Sequence, residues 1–249
     1  MLLIEKKHNH LTELTELRVR WILIKNCNKM IKSDYIVFDC ETGGLDETKN
    51  PITQYAAVIL DGKTLKEKDR FETFIKPYND LVIEKQALDH TMVKMSDINS
   101  GITIGKFVKT VTNWWESHRA KTREREMGRL IPVGHNVTFD LRFINYALAL
   151  EGVENTEEWM YPNFIDTLCL GKMAFGINGD EKLNLSTCCE RAKIKLTDAH
   201  GAMNDVEATA ELFRWYMKKM RAKKGSSESS GDNARARGQE FFEFKCAAK

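Results

Sequence analysis

The chain has no dominant sign of charge. Its 38 Lys and Arg nearly cancel 36 Asp and Glu, leaving a formal net charge of +2. No global basic field announces a nucleic-acid partner, but a sum near zero does not exclude one, because local patches of either sign can coexist in it. Local positive patches then have to attract phosphate. Residues 121–129 and 218–224 are the candidates, and each reads equally well as a solvated helix face or linker. A cysteine framework is also missing. The six cysteines stand at 27, 40, 169, 188, 189 and 246, with no C-x-x-C pair and no Cys/His set at zinc spacing. That pattern points to a reducing compartment without disulfides, with Cys188 and Cys189 as small core residues on a helix. Long apolar runs are absent from the N-terminus. The longest ones, residues 1–4 and 21–24, are far too short to span a bilayer, and no secretory signal fits, so no membrane partner is expected. At 249 residues the chain has room for one domain with a full core plus appendages.

What is present is a pair of carboxylates at the end of an apolar run, Ile36-Val37-Phe38-Asp39-Cys40-Glu41-Thr42-Gly43-Gly44. The β-branched and aromatic residues 35–38 read as a buried strand. Strand side chains alternate faces, so Asp39 and Glu41 point one way and Cys40 the other. Two like charges side by side repel unless a cation lies between them, and paired oxygen ligands suit Mg²⁺ or Mn²⁺. Gly43-Gly44 then lets the backbone turn sharply and lets a ligand approach closely. An isolated D-x-E is more often a solvated turn.

Two further segments remove the isolation. In Gly134-His135-Asn136-Val137-Thr138-Phe139-Asp140, a short strand over 131–133 gives way to a helical pattern that sets Phe139, Phe143 and Leu150 on one face. Asp140 falls in the first turn, where an acidic residue also complements the helix dipole. In His200-Gly201-Ala202-Met203-Asn204-Asp205, a periodic helix begins whose apolar face runs through Val206, Phe213 and Met220. His200 lies on the loop ahead of it and Asp205 near its first turn.

Together the three segments resemble the DEDDh (DnaQ-like) 3′→5′ exonucleases, a family that includes the proofreading epsilon subunit of DNA polymerase III, ribonuclease T and oligoribonuclease. D-x-E is met by Asp39 and Glu41, the Asp after H-N-x-x-F by Asp140, and H-x-x-x-x-D by His200 and Asp205. The resemblance runs from about residue 33 to about residue 219. It implies an α/β, ribonuclease H-like fold, a mixed five-stranded sheet with helices on both faces. It also implies two divalent cations, Mg²⁺ or Mn²⁺, about 3.5–4 Å apart, clamping the attacking and leaving oxygens of a phosphodiester. By the resemblance Asp39 bridges both ions, Glu41 and Asp205 complete one site, and Asp140 serves the other, partly through water. His200 is the implied general base. The implied substrate contacts are Thr42 and Gly43 at the terminal nucleotide, Leu45 against the last base, and Asn136 and Phe139 at the border of the cleft. Two positions depart from the family. Gly43 replaces a second Thr, which puts a side-chain contact to the sugar in question. His90-Thr91-Met92 stands where many relatives carry His-Gly and an apolar residue.

The organisation expected along the chain follows from pattern. Residues 1–32 carry Leu14, Leu17, Trp21 and Ile24 at helical spacing, a helical extension packing on the domain or on a partner, with residues 1–29 an add-on or an upstream extension of the coding frame ahead of Met30. The exonuclease domain occupies 33–222. Strands at 35–41, 52–61 and 70–76 form an antiparallel meander. A helical stretch over 80–118 follows, then a strand at 131–134, a helix at 138–151, a segment at 164–174, a helix at 184–192 and the last helix. Residues 223–249 are a flexible tail by composition, ending in an apolar cluster around Gln239, Phe242 and Phe244. That cluster resembles the peptide by which polymerases and repair enzymes hold a sliding clamp; a tail folded back on its own domain is the alternative. The expected activity is release of nucleoside 5′-monophosphates from single-stranded DNA 3′ ends. An exoribonuclease, or a silent module that binds a polymerase or clamp, are the rivals. Such a chain suits the cytoplasm of a bacterium, or of the host if viral.

Overall fold

A computed structural model of the chain describes residues 33–91, 93–119, 128–177, 183–195 and 201–225. The N-terminal extension, His200 and the tail with Gln239, Phe242 and Phe244 lie outside the described residues, as does most of the basic stretch 121–129.

The described residues form a five-stranded sheet ordered β3-β2-β1-β4-β5. Strands β1 (Tyr35–Thr42), β2 (Ile52–Leu60) and β3 (Glu67–Phe74) make the expected antiparallel meander. Strand β4 (Ile131–Gly134) pairs parallel to β1, and the two-residue β5 (Ile165–Asp166) pairs parallel to β4. This is the mixed sheet that the sequence predicts.

The alternation of β1 divides the core. Ile36, Phe38 and Cys40 pack into one cluster with Phe107, Val111 and Trp115 of helix α3 (Ile104–Ser117) and Phe143, Ile144 and Ala147 of α4 (Val137–Leu150). Tyr35 and Val37 pack on the other face against Ala202, Val206 and Phe213 of α7 (Ala202–Gly225). Helices therefore cover both faces. Trp115 is fully buried, packs on Trp159 and Tyr55, and donates its indole N–H to the Tyr55 hydroxyl at 3.3 Å. Truncating so large a buried ring costs about 3–5 kcal/mol.

Three boundaries differ from the sequence reading, each for a local reason. The helical stretch over 80–118 is broken into α1 (Lys85–Thr91), α2 (Met95–Ser100) and α3. Extended Gly101 ends α2, and the Thr103 side chain accepts the Lys106 N–H to start α3. Strand β3 begins at Glu67, ahead of the expected residue 70, because pairing with β2 recruits the charged run 67–70 onto the sheet edge. The segment at 164–174 starts as β5 and turns into α5 (Thr167–Phe175) at Asp166, whose carboxylate accepts the Leu168 N–H at 2.8 Å. On α6 (Leu185–Ala192), Cys188 and Cys189 are buried core residues, as expected. No helix among the described residues is long and apolar enough to cross a membrane.

Candidate active site

The carboxylates converge at the C-terminal end of β1. Asp39 and Glu41 share the face that α7 covers, and Asp205 lies in the first turn of α7. One oxygen from each of the three lies within 4.8 Å of the others. Asp140 arrives from the opposite side, in the first turn of α4. It is buried, and its Oδ1 accepts the backbone N–H of Cys40 at 2.9 Å. The parity read from the sequence thus places Asp39 and Glu41 beside Asp205, while Asp140 is fastened to the backbone of the residue between them.

Crowding and burial weaken these carboxylic acids, all in one direction. Loss of solvation, then the charges of Asp140, Glu41 and Asp205, push the Asp39 carboxyl well above its usual range. Burial and then Asp205 push Glu41 up to about 7. Asp140 is pushed to about 8, mainly by burial, against the relief supplied by the Cys40 N–H. Hard oxygen donors that strain to hold a proton when they face one another are a donor set that fits Mg²⁺ or Mn²⁺.

The loop after β1 is held by contacts that the sequence did not reveal. Gly43 gives its N–H to the Pro51 carbonyl at 2.8 Å and accepts the Glu84 N–H at 2.7 Å. A Cβ on Gly43 would stand 2.8 Å from Pro51 Cδ and 3.0 Å from the Val82 carbonyl oxygen. The close approach of Pro51 and of residues 82–83 therefore leaves no room for a side chain at Gly43. Buried Asn50 packs against Gly44 and bonds the Asp46 N–H and the Val82 carbonyl at 3.1 and 2.9 Å. The Thr42 hydroxyl donates to the Gly44 carbonyl at 2.7 Å. Leu45 stands 79% exposed at the tip of this loop.

Across the cleft, Asn136 is exposed and adopts a left-handed backbone, φ 62°, fixed by its N–H on the Asp166 carboxylate at 3.0 Å. Phe139 is half-buried on Phe143, and the Arg142 guanidinium lies 5.8 Å from its ring. Asn50 and Asp166 are positions that sequence reasoning missed. The only signal for Asp166 was an acidic residue directly before a helical pattern.

A sheet of this order with carboxylates gathered at the end of its first strand defines the ribonuclease H-like nucleases. The chain belongs within that class to the DnaQ-like (DEDDh) 3′→5′ exonuclease family: the RNase T family model, described as exonuclease, matches residues 36–213. Among curated proteins it is 30% identical over 189 residues to the PolC-type DNA polymerase III of Bacillus cereus, a match covering 74% of this chain and 11% of that protein. It is 32% identical over 182 residues to the PolC-type polymerase of Bacillus subtilis, covering 72% of this chain and 11% of the relative. The chain thus spans only about a ninth of those relatives. Among solved structures, Escherichia coli exonuclease I in complex with a dT13 oligonucleotide aligns with TM-score 0.60 and 17% identity, covering 79% of this chain and 43% of that one. The nuclease domain of 3′hExo, a DEDDh family member bound to rAMP, aligns with TM-score 0.59 and 15% identity, covering 76% and 93%. Membership of the family implies dependence on divalent metal.

Proposed function

We propose that the protein is a metal-dependent 3′→5′ exonuclease that releases nucleoside 5′-monophosphates from single-stranded DNA 3′ ends, with proofreading as its setting. The observation that carries this reading is the convergence of Asp39, Glu41 and Asp205 within 4.8 Å. Asp39, Glu41 and Asp205 would hold one divalent cation, and Asp39 with Asp140 a second, Mg²⁺ or Mn²⁺. Such cations supply Lewis-acid polarisation and charge neutralisation at the scissile phosphate. His200, directly ahead of Gly201, takes the proton of the attacking water on a ring nitrogen as the new P–O bond forms. The P–O3′ bond breaks with its electron pair on O3′, which takes a proton from solvent to leave a 3′-hydroxyl on the shortened strand, and the phosphate leaves on the terminal nucleotide. Leu45 and Phe139 offer apolar surface to the terminal base, and Thr42, Gly43 and Asn136 border its sugar.

DNA is favoured by the similarity to the PolC-type polymerases. Within this reading residues 33–222 are the exonuclease unit and 1–32 a helical addition. Residues 223–249 are a tether whose Gln239, Phe242 and Phe244 engage a sliding clamp or polymerase, and the setting is the cytoplasm. The rival reading is an exoribonuclease, since one structural neighbour is bound to rAMP. Incubation with 5′-labelled DNA and RNA oligonucleotides of matched sequence, with and without Mn²⁺, tests the proposal. Metal-dependent shortening of DNA faster than RNA supports it. Faster RNA shortening transfers the reading to the rival, and no shortening of either overturns both.

A further inference from the structure

One buried amide at the edge of the site has no place in the reading above. Gln54 interrupts the apolar run of β2 and is 4% exposed. It pairs with Glu41 across the antiparallel ladder, so its side chain lies on the face that carries the carboxylates. Its Nε2 donates to Glu72 Oε1 on the edge strand β3 at 2.8 Å. That bond fixes which end of the amide is free, and Oε1 accepts the backbone N–H of Ala202 at 3.3 Å. Ala202 is the first residue of α7 and is fully buried. Its N–H is one of those that a helix start leaves without an intrahelical partner. One turn further on, Asp205 bonds back to Gly201, and its carboxylate meets Asp39 and Glu41.

We infer that Gln54 is a positioning residue that sets the start of α7 against the sheet, and so fixes the stand-off of Asp205 from Asp39 and Glu41. The physical need is specific. Three carboxylates within 4.8 Å repel, and Asp205 is the one carried on a separate element that can recede from β1. A hydrogen bond from the sheet to the first helical N–H opposes that recession at the point where the helix enters. An amide can do this beside Glu41 without adding charge, and Glu72 holds it in the one orientation that presents an acceptor to Ala202. This inference rests on the carboxylate site proposed above.

The test uses the full chain and reads metal binding without nucleic acid. Gln54→Met keeps the side-chain volume and removes both hydrogen bonds. Displacing a partner that orients a metal ligand typically weakens metal affinity or activity by about 10- to 100-fold. Mn²⁺ titration followed by electron paramagnetic resonance should show a loss of that size in Gln54→Met. The kcat for oligonucleotide hydrolysis should fall in parallel, with KM held within about twofold. Hydrogen exchange at the Ala202 amide should speed up in Gln54→Met, because the bond that protects it is gone. Wild-type Mn²⁺ affinity in Gln54→Met overturns the inference. So does a loss of affinity with the Ala202 amide still exchanging at the wild-type rate, because the loss then does not act through the start of α7. Should the wild type bind Mn²⁺ but shorten no oligonucleotide, the functional reading fails while the metal titration still decides the role of Gln54.

Discussion

Removing metal should make the protein's stability fall as pH rises, and the size of the fall can be worked from Glu41. Burial and Asp205 raise this carboxyl from 4.5 to about 7 in the folded protein. The unfolded chain gives up the proton near 4.5, so between the two values the folded state binds more protons than the unfolded one. Stability therefore declines as pH climbs above 4.5 and levels off above about 7. The full difference corresponds to about 3 kcal/mol, of which about 2.5 kcal/mol falls between pH 5 and pH 8. For a domain of this size that is a drop in Tm of roughly 5–10 °C. Asp39 and Asp140 are shifted in the same direction and steepen the decline. The assay is thermal unfolding in EDTA at a series of pH values, repeated with saturating Mg²⁺ and with Glu41→Gln. The decline should be strong in EDTA, shallow in Mg²⁺ because bound cations satisfy the carboxylates, and reduced in Glu41→Gln. A Tm in EDTA that is flat from pH 5 to 8, or a slope that Mg²⁺ leaves unaltered, refutes the electrostatic picture of the site.

Other expectations follow from single residues. His200→Ala should lower kcat by about 10²–10⁴-fold, with part of the loss recovered at high pH where hydroxide is available; unchanged kcat at neutral pH removes His200 as the base. Gly43→Ala forces a methyl to within 2.8 Å of Pro51 Cδ and 3.0 Å of the Val82 carbonyl, and should cost about 1–3 kcal/mol in denaturant unfolding and raise KM by displacing the loop. Wild-type stability and KM in that variant would mean that the loop yields freely. Removing residues 226–249, beyond the end of α7, should leave hydrolysis of short oligonucleotides unchanged while abolishing co-migration with a sliding clamp, because a tether acts through effective concentration. A loss on short oligonucleotides would instead mean that the tail docks on its own catalytic unit.

Much of this arrangement is written locally. The period-two pattern of residues 35–41 put Asp39 and Glu41 on one face and Cys40 on the other, and both cores follow that division. Helical spacing placed Asp140 and Asp205 in first turns, because each opens a strongly periodic apolar face. What stayed hidden depends on partners distant in the chain. Nothing near Gln54 in sequence signals Ala202, and nothing near Asn50 signals Val82. Glycines 43 and 44 announced tight geometry, but only the packing of Asn50, Pro51 and residues 82–83 explains which atoms crowd them. The early start of β3 was illegible for a related reason: Glu67 to Arg70 carry the charges of a turn, and their strand conformation is imposed by β2.

The most direct measurement compares wild type and Asp39→Ala on a 5′-labelled single-stranded oligonucleotide in Mg²⁺, with Tm recorded for both in EDTA. Wild type should yield a ladder shortening from the 3′ end. Asp39→Ala should yield essentially none while melting at or above the wild-type temperature, because the missing charge relieves Asp140, Glu41 and Asp205. A correctly folded Asp39→Ala that shortens the strand at near wild-type rate would contradict the assignment of this carboxylate cluster as the catalytic centre.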